Sequence, residues 1–174
     1  MGQIRQLQLS YNPNQDRLLF RLSASAGRQL HEYRFSLTRR YVRLLWKALL
    51  VILKNNQPEE QQQQSAPTQA ASMTLQHQQA VAQADFKSPF EKSHSYPLGE
   101  EPILVGKIGL KKGPQGGQLL SMHPLQGAGL DFHLNDQLLH SFCQLLSQAT
   151  QRAEWDLDLD FAQADDLISK QNLN

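Results

Sequence analysis

One cysteine, Cys143, stands in a chain of 174 residues. A single thiol excludes an intramolecular disulfide framework and a zinc site built on cysteines, and it fits a reducing compartment. Long apolar runs are missing too. The longest lies between Lys47 and Lys54 and covers six residues, whereas a helix that crosses a bilayer needs ~20. The first residues, Met1 to Gln6, hold no apolar h-region, and Gln6 stands where an N-myristoylation signal places Ser or Thr. A cytoplasmic protein with no membrane span is expected.

Catalytic signatures are also lacking. The six histidines (31, 77, 94, 123, 133 and 140) form no HExxH pattern. Gly113 to Gly117 lacks the GK[ST] of a phosphate loop, and no G-x-S-x-G elbow occurs. Cys143 falls on the apolar stripe of a helix, where a thiol is an inert core residue. These absences predict a protein that is not an enzyme, with no catalytic residues, no cofactor, no metal and no small-molecule substrate.

What the chain does have is a pattern that recurs 97 residues apart. Phe35-Ser36-Leu37-Thr38 runs into Tyr41, Val42, Leu45, Trp46 and Leu49. Phe132-His133-Leu134-Asn135 runs into Leu138, Leu139, Phe142, Cys143 and Leu146. Each copy is a strand end, a residue of N-cap type and an apolar helix. Upstream of the first copy, Leu7, Leu9 and Tyr11 alternate with polar residues, and Leu18, Phe20 and Leu22 share one face of the next segment with Arg17, Leu19 and Arg21 on the other. His31, Tyr33, Phe35 and Leu37 alternate with Glu32, Arg34 and Ser36. Period two with short turns predicts three antiparallel strands, and the helix follows from Thr38 to about Asn55. That helix is apolar around most of its circumference, so it must be covered on several sides.

Residues 56–102 turn polar and rich in Gln and Pro, the composition of a linker, with a weak helix expected over 69–85 and Phe86, Phe90 and Tyr96 to Leu98 as anchors. The second unit predicts strands over Ile103 to Leu110, Leu119 to Met122 and Leu130 to Leu134. A helix follows from Asp136 to about Arg152, and Trp155 to Phe161 alternates strictly enough for a closing strand. The expected fold is therefore α+β: two tandem units of antiparallel β-meander followed by a helix, in the order βββα-linker-βββα-β. They are pseudo-symmetric and packed through helices and sheets. The expected bounds are 1–56 for the first unit, 57–102 for the linker, 103–161 for the second unit and 162–174 for a disordered tail.

Charge is distributed unevenly. Residues 1–56 hold ten Lys or Arg against two acids, a net of +8, while residues 151–174 hold two against six, a net of −4. The sharpest local signal is the start of the first helix. Acids normally occupy the first turn, where the dipole favours them; here Arg39 and Arg40 follow Thr38, Arg43 comes one turn on, and Arg34 lies on the preceding strand. With Arg17 and Arg21 these residues form the candidate anion- or nucleic-acid-binding set: Arg17, Arg21, Arg34, Thr38, Arg39, Arg40 and Arg43. The same arginines can instead pair with acids of the chain. Asp156, Asp158 and Asp160 share one face of the last predicted strand, and Arg17 and Arg21 offer a matching row. A meander closed by a helix and repeated in tandem resembles, in topology alone, the layout of Whirly-type and PUR-type nucleic-acid-binding proteins. That resemblance implies a nucleic-acid-binding surface.

The primary expectation is a non-enzymatic cytoplasmic interaction protein, an adaptor, assembly or regulatory factor with a protein partner or a homodimer. Tyr41, Leu45, Trp46 and Leu49 are the candidate interface, or else the core between the units. Single-stranded nucleic-acid binding through the basic half is the alternative, and attachment of the first helix to an anionic membrane surface comes third.

Overall fold

The structure, a computed structural model, describes residues 2–113 and 117–161. The expected tail, 162–174, and the middle of the turn at 113–117 lie outside the described residues. Three strands open the chain: β1 (Ile4–Asn12), β2 (Arg17–Ala26) and β3 (Gln29–Leu37). They pair antiparallel in order, with Leu9 opposite Phe20 and Phe20 opposite Phe35. The alternation read from the sequence puts Leu18, Phe20, Leu22, Phe35 and Leu37 on one face, and none of them is exposed to solvent.

Helix α1 (Arg39–Asn55) follows. Val42, Leu45, Trp46, Leu49, Leu50, Ile52 and Leu53 are all buried. The cover that so broad an apolar face requires comes from other elements of the same chain. After the short α2 (Glu59–Gln62) and α3 (Ala66–Gln83) come β4 (Ile103–Leu104), β5 (Lys107–Lys112), β6 (Gln118–His123), β7 (Leu130–Phe132) and α4 (Asp136–Arg152). Strands β5, β6 and β7 form a second antiparallel sheet, and α1 packs against both α4 and β5. The class is α+β; α1 follows three strands, and α4 follows four, of which β4 belongs to the first sheet.

The two parts share one core. Phe20 of the first sheet stacks on Phe142 of α4 with ring centroids 4.5 Å apart, and it meets Phe35 at 6.1 Å and Phe132 of β7 at 6.5 Å. Each fully buried Phe or Leu contributes ~1.5–3 kcal/mol by leaving water. Neither sheet has a complete core without the other's aromatics.

Three expectations are corrected. The linker expected over 57–102, with a weak helix over 69–85, is more ordered than its composition predicts and holds α2 and α3. Ala and Gln sustain α3, which has Pro67 in its first turn and Met73 buried, and Gln69 donates to the carbonyls of Gln62 and Gln64 at 2.8 and 2.7 Å. Beyond α3, residues 86–101 run as a strap over the outer face of the first sheet. The Gln6 side chain donates to Pro89 O at 3.1 Å and accepts from Glu91 N at 2.8 Å, and Glu32 N donates to Ser95 O at 2.9 Å.

Second, the strand expected over 103–110 is split. Ile103 and Leu104 join the first sheet, parallel to β3, and the chain changes sheets at Val105-Gly106. A Cβ on Gly106 would stand 2.7 Å from the backbone nitrogen of Leu125, so only glycine fits this crossing.

Third, Trp155 to Asp160 form no strand; Leu157 N bonds back to Trp155 O at 2.7 Å. The alternation persists without a ladder. Trp155 is buried, Leu157, Leu159 and Phe161 are half-buried, and Asp156, Asp158 and Asp160 are exposed.

Candidate functional site

The seven candidate residues do not converge; the fold distributes them over three places. Arg21 and Arg34 sit opposite each other on the outer face of the first sheet. Between them, Glu32 Oε1 accepts from both Nε atoms at 2.7 Å, and the Glu32 side chain has no solvent exposure. Each guanidinium is stacked from above by the strap: Arg21 lies 4.2 Å from the Phe90 ring centroid and Arg34 4.5 Å from that of Tyr96. Arg21 also donates to Gln8 Oε1, and Arg34 to Glu100 O and Tyr96 Oη. Burial pushes the Glu32 carboxyl up, but its bonds to the two guanidinium groups outweigh this and hold it below its ordinary value. Arg17 stands apart, beside Asn12, Gln15 and Glu101.

At the start of α1, Thr38 is the N-cap residue, but its side chain caps nothing; only its carbonyl accepts, from Val42 N. Asn135 Oδ1 caps α4 properly by accepting from Leu138 N at 2.8 Å. Arg39 finds Asp16 at 3.3 Å and lies over the Trp155 ring at 5.3 Å. Asp16 also accepts from Trp155 Nε1 at 2.7 Å and Tyr11 Oη at 3.0 Å, and chiefly the Trp155 bond holds its carboxyl below the ordinary value.

Arg40 and Arg43 continue along α1 with Lys47, and all three are exposed. Together with Leu44 and Trp46 they line one wall of a cleft of about 450 Å³, whose other wall is Asp156, Asp158 and Leu159. Asp156 and Asp158 thus face the stripe of α1, which corrects the pairing with Arg17 and Arg21 that the strand assignment predicts. Once 155–161 leaves the sheet, it is free to cross the helix instead.

Of the candidate interface, Leu45 and Leu49 have no exposure and Trp46 has 2%, while Tyr41 is half-buried and donates to Gly106 O. Of the two roles open to these residues, core and subunit contact, the structure gives them the first. They are already covered within one chain.

Sequence reasoning missed the buried Glu32. Alternation puts it on the outer face, and only the strap, tied on from 83 residues away in the case of Gln6 and Pro89, turns that face inward. It also missed the packing of His77 on α3 against His140 on α4, with ring centroids 5.5 Å apart and Phe161 against His77 at 4.9 Å. Nδ1 of each is buried with no partner among the described residues, and burial lowers the pKa of both rings. On the second sheet, Asp131 accepts from Lys111 at 2.7 Å and Ser121 at 2.6 Å and meets His123 at 2.9 Å. Burial opposes its charge, yet these bonds hold it far below the ordinary carboxylate range. The Cys143 thiol is fully buried and pushed far up, so no thiolate forms there.

Among the described residues no group of three His, Cys, Asp or Glu side chains is placed to hold a metal ion, and no helix is long and apolar enough to cross a membrane. Compared with known proteins, the chain matches no family model, no curated protein and no solved structure.

Proposed function

We propose that this chain is a non-enzymatic cytoplasmic interaction protein, an adaptor, assembly or regulatory factor, that meets a protein partner through the exposed side of α1. The observation that carries this reading is the division of that helix. Its apolar side is filled by the chain's own core. Its other side sets Arg40, Arg43 and Lys47 beside a cleft edged by Leu44 and Trp46. Arginines grouped beside an apolar edge are the composition of a protein-binding patch.

Single-stranded nucleic acid is the second reading, favoured by the same row of cations. It is weakened because Arg21 and Arg34 are engaged by Glu32, and because Phe20, Tyr33 and Phe35 are buried where stacking needs exposed rings.

The test uses the wild-type chain and the variant Arg40→Glu/Arg43→Glu/Lys47→Glu as baits in a lysate, with and without nuclease. The expected result is a set of proteins held by the wild type, lost by the variant and indifferent to nuclease. Capture that nuclease releases, or the same proteins on both baits, contradicts the reading.

A further inference from the structure

We infer that the face of α1 crossed by residues 156–161 is a peptide-docking groove, that its ligand is a segment alternating carboxylates with large apolar residues, and that residues 156–161, which now form the far wall of the cleft beside that face, are its built-in competitor. This rests on the protein-binding reading above and names the chemistry of the partner.

The chain's own segment displays what the groove accepts. Its burial alternates with period two but it belongs to neither sheet, so no strand ladder fixes it. Its firmest hold is at Trp155, and at the far end Phe161 rests between the Trp46 and His77 rings. Trp155 is 4% exposed, donates to Asp16 at 2.7 Å and meets the Tyr11 ring edge-on at 6.1 Å. Past that anchor the hold changes in kind. Leu157, Leu159 and Phe161 are only half-buried, and Trp46 Nε1 reaches a backbone oxygen, Asp160 O, at 3.2 Å. The Phe161 ring lies 5.4 Å from that of Trp46, and Asp156 and Asp158 face Arg40, Arg43 and Lys47 across the cleft.

Each of these contacts is generic. Any extended peptide brings a carbonyl for Trp46, apolar side chains at every second position and carboxylates between them. Charge complementarity selects an acidic peptide over a neutral or basic one. The tether at Trp155 holds residues 156–161 at an effective concentration on the order of millimolar, so a ligand in trans must displace them.

The test measures fluorescence anisotropy of a labelled hexapeptide copying residues 156–161, added to the full chain. In the variant Asp156→Asn/Asp158→Asn/Asp160→Asn the tethered copy competes less. The peptide should bind it about tenfold more tightly than the wild type, the size of several exposed ion pairs acting together. The variant Leu157→Ser/Leu159→Ser weakens the same competitor through its apolar side and should shift affinity in the same direction. Adding Arg40→Glu/Arg43→Glu to either should abolish binding. Equal affinity for wild type and both variants, binding that survives the arginine reversal, or binding of a single-stranded oligonucleotide but not the peptide overturns the inference. If lysate proteins still depend on the α1 cations while the peptide fails to bind, the groove assignment falls and the protein-binding reading stands. If both fail, the reading falls with it.

Discussion

Two of the places where this molecule sets arginines against acids differ in one respect. On the outer face of the first sheet, Arg21 and Arg34 share a carboxylate with no solvent exposure, under a strap that stacks a ring on each guanidinium. On α1, Arg40, Arg43 and Lys47 face Asp156 and Asp158 with both walls open to water. Charges held away from water must be matched, since an unmatched one costs several kcal/mol. Charges in water gain ~0–1 kcal/mol from each other and part readily. The same residue types therefore fasten the fold in one place and leave an exchangeable surface in the other.

Removing Glu32 should have the largest effect. Glu32→Ala leaves two guanidinium groups under the strap without their shared anion, and the loss should be about 3 kcal/mol, read as a lower midpoint of urea unfolding at pH 7. Acid acts on the same group. Its carboxyl is held below the ordinary value, so the stability it contributes is fully present above about pH 4.5 and is lost as pH falls through the lower folded value. In Glu32→Ala, the steepest part of the acid-unfolding curve should flatten.

A smaller effect belongs to the interface of α3 and α4. Burial lowers the pKa of His77 and His140, with Gln144, Asp136 and Phe161 around them. Their contribution is present above about pH 6.5 and declines as pH falls below it, because the unfolded rings take up protons first. Unfolding midpoints at pH 7.5 and pH 5.5 should differ in the wild type and differ less in His77→Gln/His140→Gln. Smallest of all should be Arg40→Ala/Arg43→Ala, expected to change stability by under about 1 kcal/mol. A loss there as large as that of Glu32→Ala would erase the distinction between the two charged sites.

The sequence made local features legible. Period two located β1, β2 and β3, and a broad apolar face located α1. Asn135 with Asp136 marked the start of α4, and strict alternation from Trp155 foretold which side chains are exposed. What stayed hidden depends on residues distant in the chain. Ile103 carries no sign that it pairs with Phe35, and Glu32 carries none that Ser95 will close over it. The alternating segment 155–161 was misread as a strand because alternation reports an apolar side and a wet side, not a ladder partner. The candidate arginines were found by type, but their grouping needed the register that sets Arg21 beside Arg34.

The central claim is that the strap is fixed while residues 156–161 are held loosely enough to be replaced. Hydrogen exchange followed by mass spectrometry under native conditions tests it on the unmodified chain. The amides of Glu32 and Glu91, which fasten the strap, should exchange at least about a hundredfold more slowly than those of 158–161. Equal protection in the two segments would contradict the account, because the peptide on α1 would then be as much a part of the fold as the strap.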